Sequence, residues 1–234
     1  MDTGRRGRVA VVSTPIGHLE DLSPRARRTL EEADVVACED TRRTGLLLSQ
    51  LGIKKRLVSM HEHNERRRLP QLMEALLEEG LTVAVVSDAG TPLVSDPGFL
   101  LVREAAAAGV AVEPVPGASA ILAALVASAL PPYPFTFLGF APSKKARRRT
   151  FLTEAAELGH TILFFESPHR ICACLEDAAA ALGERPAAVC RELTKLHEEV
   201  LRGTPGELAA ELGSRPGVKG EIVVVIGPAP KVRR

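Results

Sequence analysis

The sequence predicts an α/β protein made of two α/β lobes, and three observations predict it. Short runs rich in β-branched residues alternate with helix-length segments through both halves. Capping residues and breakers fall at the ends of those segments. A step bearing Pro114, Pro116 and Gly117 divides the chain near 115–118, giving lobes over 1–116 and 117–234. Alternation of this kind implies a mainly parallel sheet with helices on both faces.

In the first lobe, Val9-Ala-Val-Val12 is a strand. Ser23-Pro24 offers an N-cap followed by proline at the first helical position, opening a helix to about Glu32. A strand over 34–38 precedes a helix over 41–51 that ends near Gly52. A strand over 57–60 leads to a helix over 65–79 closed by Gly80. The run 81–86 is the fourth strand, and a helix from Gly98 to Ala108 stops at Gly109. Val110 to Val115 is the fifth strand, ended by Pro114 and Pro116.

In the second lobe, Ala118 to Leu130 is apolar almost throughout and is expected as a buried helix, too short to cross a bilayer. Pro131-Pro-Tyr-Pro134 is a rigid break. A strand over 135–139, a helix over 145–158 and a strand over 161–165 follow. Ser167-Pro168 caps a helix to about Leu182, and strands are expected at 187–190 and 198–201. Thr204-Pro-Gly-Glu207 is a capping box, and Glu221 to Ile226 is the last strand.

With 234 residues and a net charge of +1, the chain can bury a large core, and no global field draws it to polyanions. Any nucleic-acid binding must come from local clusters. Cys38, Cys172, Cys174 and Cys190 lie in or beside apolar runs, and Cys172-Ala-Cys174 lacks the two-residue gap of zinc and redox motifs. Free buried thiols in a reducing cytoplasm are therefore expected, with no metal. The basic Met1–Arg8 segment precedes an apolar run too short for a secretory signal or a membrane span, so no membrane association is expected. The absence of Trp argues against recognition built on many stacking platforms.

The chemistry is concentrated in loops. Ser87-Asp-Ala-Gly-Thr-Pro-Leu-Val-Ser-Asp-Pro-Gly98 sets carboxylates, hydroxyls, glycines and prolines directly after a buried strand, where open α/β sheets bind ligands. Thr14-Pro-Ile-Gly-His-Leu19 follows the first strand in the same way, without the Gly-x-Gly-x-x-Gly fingerprint or a P-loop. Pro114-Val-Pro-Gly-Ala-Ser-Ala120 opens the apolar helix. Lys144-Lys-Ala-Arg-Arg-Arg149 packs five cations into six residues, a concentrated phosphate-contacting candidate in a chain of near-zero net charge. Cations at a helix N-terminus oppose the macrodipole, so something other than helix stability favours them.

Seven segments in this order resemble the tetrapyrrole methylase superfamily over nearly the whole chain. They are Ser13-Thr-Pro-Ile-Gly17, Cys38-Glu-Asp-Thr-Arg42, His61-Glu-His-Asn64, Ser87 to Gly98, Pro116-Gly117 with Ser119-Ala120, Phe164-Phe-Glu-Ser-Pro-His-Arg170 and Arg191-Glu-Leu-Thr-Lys195. Within it they are most similar to the branch of cytidine 2′-O-methyltransferases of 16S ribosomal RNA. Position 18 is His where that branch has Asn. The resemblance implies a folded S-adenosylmethionine in a cleft between the lobes, lined by Pro15, Gly90, Thr91, Pro92, Ser119 and Ala120, with Phe165 and Leu193 as further contacts. Asp88 or Asp96 would favour the cationic sulfonium.

The implied reaction is 2′-O-methylation of a cytidine ribose in the small ribosomal subunit, with cytidine 1402 of the decoding centre as the family's target. The implied assembly is a homodimer. A ribose hydroxyl benefits from a base or a cation at the developing alkoxide, and Glu166, His169, Glu192 and Lys195 are the candidates, with His18 and His61 behind them. Glu192 and Lys195 equally suit a salt bridge. Arg42, His61, Lys144, Lys145, Arg147, Arg148, Arg149 and Arg170 are the expected RNA-facing set, extended by Arg43 and Arg66-Arg-Arg68. Two alternatives stay open: methylation of a tetrapyrrole precursor, and a non-catalytic ribosome-associated binding module.

Overall fold

Alternating side chains along parallel strands organise the first half of the computed structural model, which describes residues 7–229. The strands are β1 (Arg8–Val12), β2 (Val35–Cys38), β3 (Arg56–Ser59), β4 (Thr82–Val86) and β5 (Ala111–Val115). They form one sheet in the order β3-β2-β4-β1-β5, parallel throughout. Val9, Val83 and Val85 pack on one face with α3 (Glu65–Leu77) and α4 (Phe99–Ala107). Ala10, Val12, Ala84 and Val86 pack on the other with α1 (Pro24–Glu32) and α2 (Thr41–Gln50). The period of two thus fills two separate cores.

The local signals act as expected. Ser23 Oγ accepts the Ala26 N–H with Pro24 at the first position of α1. Gly52, Gly80 and Gly109 take positive φ after their helices. Pro114 departs from expectation: it lies within β5, where it pairs with Val11. β5 is an edge strand, so a missing N–H on its outer side breaks no ladder.

The chain divides into two units after Ser119, a few residues beyond the step near 115–118. The second unit holds α5 (Ala120–Ser128), β6 (Phe135–Phe140), α6 (Lys145–Glu157), β7 (Thr161–Glu166) and α7 (Ile171–Leu182). It continues with β8 (Ala187–Arg191), β9 (Glu199–Gly203), α8 (Pro205–Gly213) and β10 (Ile222–Ile226). Its sheet order is β6-β7-β10-β8-β9, with only β6 and β7 parallel. A mainly parallel sheet therefore describes the first unit alone. The connection from β8 to β9 carries no helix, and a short connection of that kind makes an antiparallel pair.

Helices α6, α7 and α8 cover one face around Leu152, Phe164, Leu175 and Leu208. Two expectations need correction here. α5 is not buried all round, because Leu122 and Val126 are exposed while Ala124 and Leu125 face inward. The helix after Ser167-Pro168 starts only at Ile171, because residues 167–170 form a turn. Residues 1–6 of the basic amino-terminal segment lie outside those described. Among the described residues, no helix is long and apolar enough to cross a membrane. No group of three or more His, Cys, Asp or Glu among them could hold a metal ion.

Candidate functional site

β1 and β4 lie side by side and parallel, yet the chain leaves them toward opposite faces, to α1 and to α4. Neighbouring strands whose exits part in this way leave a crevice at their carboxyl ends. Two backbone hydrogen bonds close its floor: Thr14 N–H to Gly90 O at 2.9 Å and Gly90 N–H to Thr14 O at 3.0 Å. Thr14 Oγ1 also donates to the Ser87 carbonyl at 3.2 Å. Ser13 Oγ donates to Thr91 Oγ1, and Thr91 Oγ1 to the Ala118 carbonyl, each at 3.3 Å. The loops after β1, β4 and β5 are thereby joined through the residues flagged in the sequence.

Glycine is required where these loops meet. Gly90 has φ of +81°, and a Cβ there would stand 3.2 Å from Ile16 Cγ2. A Cβ at Gly117 would come within 2.9 Å of Ser13 Cβ. Pro15 and Pro92 flank the bridge, and Ser119 ends the third loop. Leu93 and Ser95 also hold positive φ, so the 87–98 loop carries backbone strain.

The carboxylates of this loop differ in their engagement. Asp88 Oδ1 accepts the Asp40 N–H at 3.2 Å, and Oδ2 pairs with Arg43 at 3.3 Å. Asp96 is raised to about 6, first by burial and then by the Glu39 charge. Glu39 is itself raised, by burial and then by Asp88. Glu65 was not singled out in the sequence, yet its buried carboxylate holds the far end of the loop. Its Oε1 accepts the Gly98 N–H at 3.0 Å and the Leu100 N–H at 2.9 Å, capping α4. A carboxylate at a helix start was its only sequence signal.

In the second unit, Glu166 is buried at the end of β7. Its Oε1 accepts the Ser167 N–H at 2.7 Å and pairs with Arg170 at 2.6 Å. These bonds fold 167–170 into the turn that delays α7, and they leave His169 exposed on it. Glu192 and Lys195 form a clamp outside any helix. Lys195 Nζ reaches Glu192 Oε1 at 2.9 Å and Glu221 Oε2 at 3.1 Å, while Glu192 Oε1 accepts the Glu221 N–H at 2.9 Å. That backbone bond, followed by Lys195, holds the Glu192 carboxyl below its ordinary value. Leu193 is buried between Glu192 and Thr194, both at positive φ. Phe165 is half-buried, with Phe137 and Phe140 at ring-centroid distances of 4.9 and 5.2 Å, and Ala120 opens α5.

The basic cluster is split. Arg148 is buried, with Nη2 2.6 Å and Nε 3.0 Å from Asp177 Oδ2, and it leaves the RNA-facing set as a correction. The turn of α6 directs this one cation inward. Arg149 shares Asp177 at 2.8 Å but remains half-exposed, while Lys144, Lys145 and Arg147 are exposed. Arg42 pairs with Asp40 at 2.6 Å and is 89% exposed. The His61 N–H donates to Asn64 Oδ1 at 2.8 Å, and its ring meets His63 edge-on.

Residues 8–209 match the family of tetrapyrrole (corrin/porphyrin) methylases. The ribosomal RNA small subunit methyltransferase I of Mycobacterium tuberculosis is 52% identical over 228 residues, covering 96% of this chain and 79% of that one. Its counterpart in Micromonospora olivasterospora is 49% identical over 230 residues, covering 98% and 73%. The crystal structure of uroporphyrin-III-C-methyltransferase from Thermus thermophilus is 26% identical, with a TM-score of 0.65 over 95% of this chain and 94% of that one. A structure of that enzyme complexed with S-adenyl homocysteine shares the fold at 23% identity, with a TM-score of 0.64 over 94% and 97%. On these matches the resemblance carried by the seven segments is borne out, and the chain belongs to the tetrapyrrole methylase family.

Proposed function

We propose that the protein transfers the methyl group of S-adenosylmethionine to the 2′-hydroxyl of a cytidine in small-subunit ribosomal RNA. The observation that carries this proposal is the near-half identity, across nearly the whole chain, to ribosomal RNA small subunit methyltransferases I. The finer target is cytidine 1402 of the decoding centre. We further assign the protein to the cytoplasm and to homodimers, the latter to be checked by light scattering.

The crevice of the first unit suits such a donor. The missing side chain at Gly90 lets its backbone approach Ile16 and the Ala118 carbonyl closely, and backbone bare of a side chain suits a flat ring edge. Asp96 is the carboxylate available to a cation, since Asp88 is already tied to Arg43 and the Asp40 amide. The bound donor supplies an electrophilic methyl on a cationic sulfur. Pro15, Gly90, Thr91, Pro92 and Ser119 would hold and orient it, and in-line alignment of the hydroxyl oxygen lowers the barrier by positioning. Among the base candidates, Glu192 and Lys195 are engaged in their clamp and Glu166 in its pair with Arg170. We assign proton removal to the exposed His169, whose backbone N–H is held by Ser167 Oγ at 3.3 Å.

Radiolabelled donor offered in parallel with free 16S RNA, assembled small subunits and a tetrapyrrole precursor tests the proposal. Label is expected in RNA as a 2′-O-methylcytidine. Label appearing only in the tetrapyrrole would overturn it, and absence of donor binding in calorimetry would favour the non-catalytic binding module.

A further inference from the structure

Between the two strands β6 and β7 the register slips: Phe137 faces Leu163, but Phe140 faces Phe165. Three steps on one strand thus match two on the other, and Gly139 takes φ of +71° at the extra residue. Such a bulge re-aims the side chain that follows it. Here Phe140 is left 60% exposed while its ring leans on Phe165, with centroids 5.2 Å apart and planes at 58°. The ring is therefore supported from within and open to solvent. A single exposed apolar side chain needs no explanation by itself; Phe140 is set apart by what lies beside it.

The neighbouring chain supplies charge. Ala141, Pro142 and Ser143 alone separate Phe140 from the exposed Lys144, Lys145 and Arg147. This short connection is held firmly. Ala141 N–H donates to the Phe165 carbonyl at 3.1 Å, and Arg148 Nη1 donates to the Ser143 carbonyl at 3.2 Å. Arg148 is in turn fixed by buried Asp177. An aromatic ring and three cations are thus presented together by one strand end and one helix start.

We propose that Phe140 is a stacking platform for an unpaired base of the RNA, with Lys144, Lys145 and Arg147 on the adjoining phosphates. Aromatic faces stack bases of any identity and cations follow the backbone, so the patch positions a single-stranded segment without selecting its sequence. The proposal rests on the RNA substrate assigned above. Arg148 and Asp177 act as positioning residues for it.

The test measures affinity for 16S RNA across a salt series, without donor, for the wild type and for F140L, F140W and the triple variant K144Q/K145Q/R147Q. F140L is expected to weaken binding about 5- to 150-fold with an unchanged salt slope, the loss typical of one stacked base. F140W keeps a π face and is expected to stay close to wild type. The triple variant flattens the slope, because it releases fewer counterions. Thermal melting and light scattering accompany each variant. Wild-type affinity in F140L, equal losses in F140L and F140W, or a changed oligomeric state in F140L would each overturn the platform. Wild-type protein that transfers no methyl to RNA would instead overturn the function proposed above.

Discussion

Arg148 Nη2 lies 2.6 Å from Asp177 Oδ2, with both side chains almost fully buried, so one member of a run of surface cations belongs to the core of its unit. Removing Asp177 leaves the buried Arg148 charge uncompensated, whereas removing Arg148 leaves Asp177 with the half-exposed Arg149 alone. D177A is expected to cost about 3–5 kcal/mol in urea unfolding, R148M less because Arg149 still pairs with Asp177, and the apolar double variant R148M/D177L less than D177A. Burial raises the Asp177 carboxyl, but Arg149 and Arg148 more than reverse this and hold it below its ordinary value. The stabilisation is therefore complete above the unfolded-state pKa of about 4 and is lost as pH falls through the lower folded value.

Asp96 behaves in the opposite sense. Its folded pKa of about 6 lies above the unfolded value, so its contribution to stability is present in acid and is lost as pH rises through 6. A bound cation reverses the preference, and donor affinity in calorimetry is expected to rise as pH increases through 6. D96N is expected to flatten that dependence and to be more stable than wild type at pH 7.5.

Replacing the glycines where the loops meet tests the crevice. G90A forces an L-residue to φ of +81° and sets a methyl 3.2 Å from Ile16. A stability loss of about 1–3 kcal/mol is expected, with donor binding reduced further than melting alone explains. G117A, at 2.9 Å from Ser13 Cβ, is expected to act in the same direction. Calorimetry and thermal melting separate the two effects.

The second unit allows a contrast between the clamp and the base proposed above. K195M removes two partly exposed ion pairs, to Glu192 and Glu221, and is expected to cost about 1 kcal/mol or less in stability. H169A is expected to leave melting and donor affinity unchanged while lowering kcat by about 10²–10⁴-fold. A kcat unchanged in H169A would remove His169 from the reaction.

Legibility in the sequence followed the range of the interactions. Ser23-Pro24 and Thr204-Pro-Gly-Glu207 were readable because their partners lie within one helical turn. The loops after β1 and β4 were readable because strand, glycine and proline are adjacent in the chain. Arg148 was misplaced because Asp177, which draws it inward, lies 29 residues away. Ser167 did not begin a helix because the Glu166 side chain takes its N–H and folds a turn instead. The antiparallel pairing of β10 was hidden because a buried apolar strand reads the same in either direction.

The carboxylate of Glu65 on the first amides of α4 has a consequence for selectivity. In dinucleotide-binding sheets the helix after the first strand receives a pyrophosphate on its free amides. At α4 the protein has satisfied the first amides with a carboxylate of its own, bonded to Gly98 and Leu100. A nucleotide carrying phosphates would meet a negative charge where it needs free amides. A nucleoside without phosphate makes no demand on those amides, so the start of α4 is expected to disfavour the phosphorylated ligand of the two.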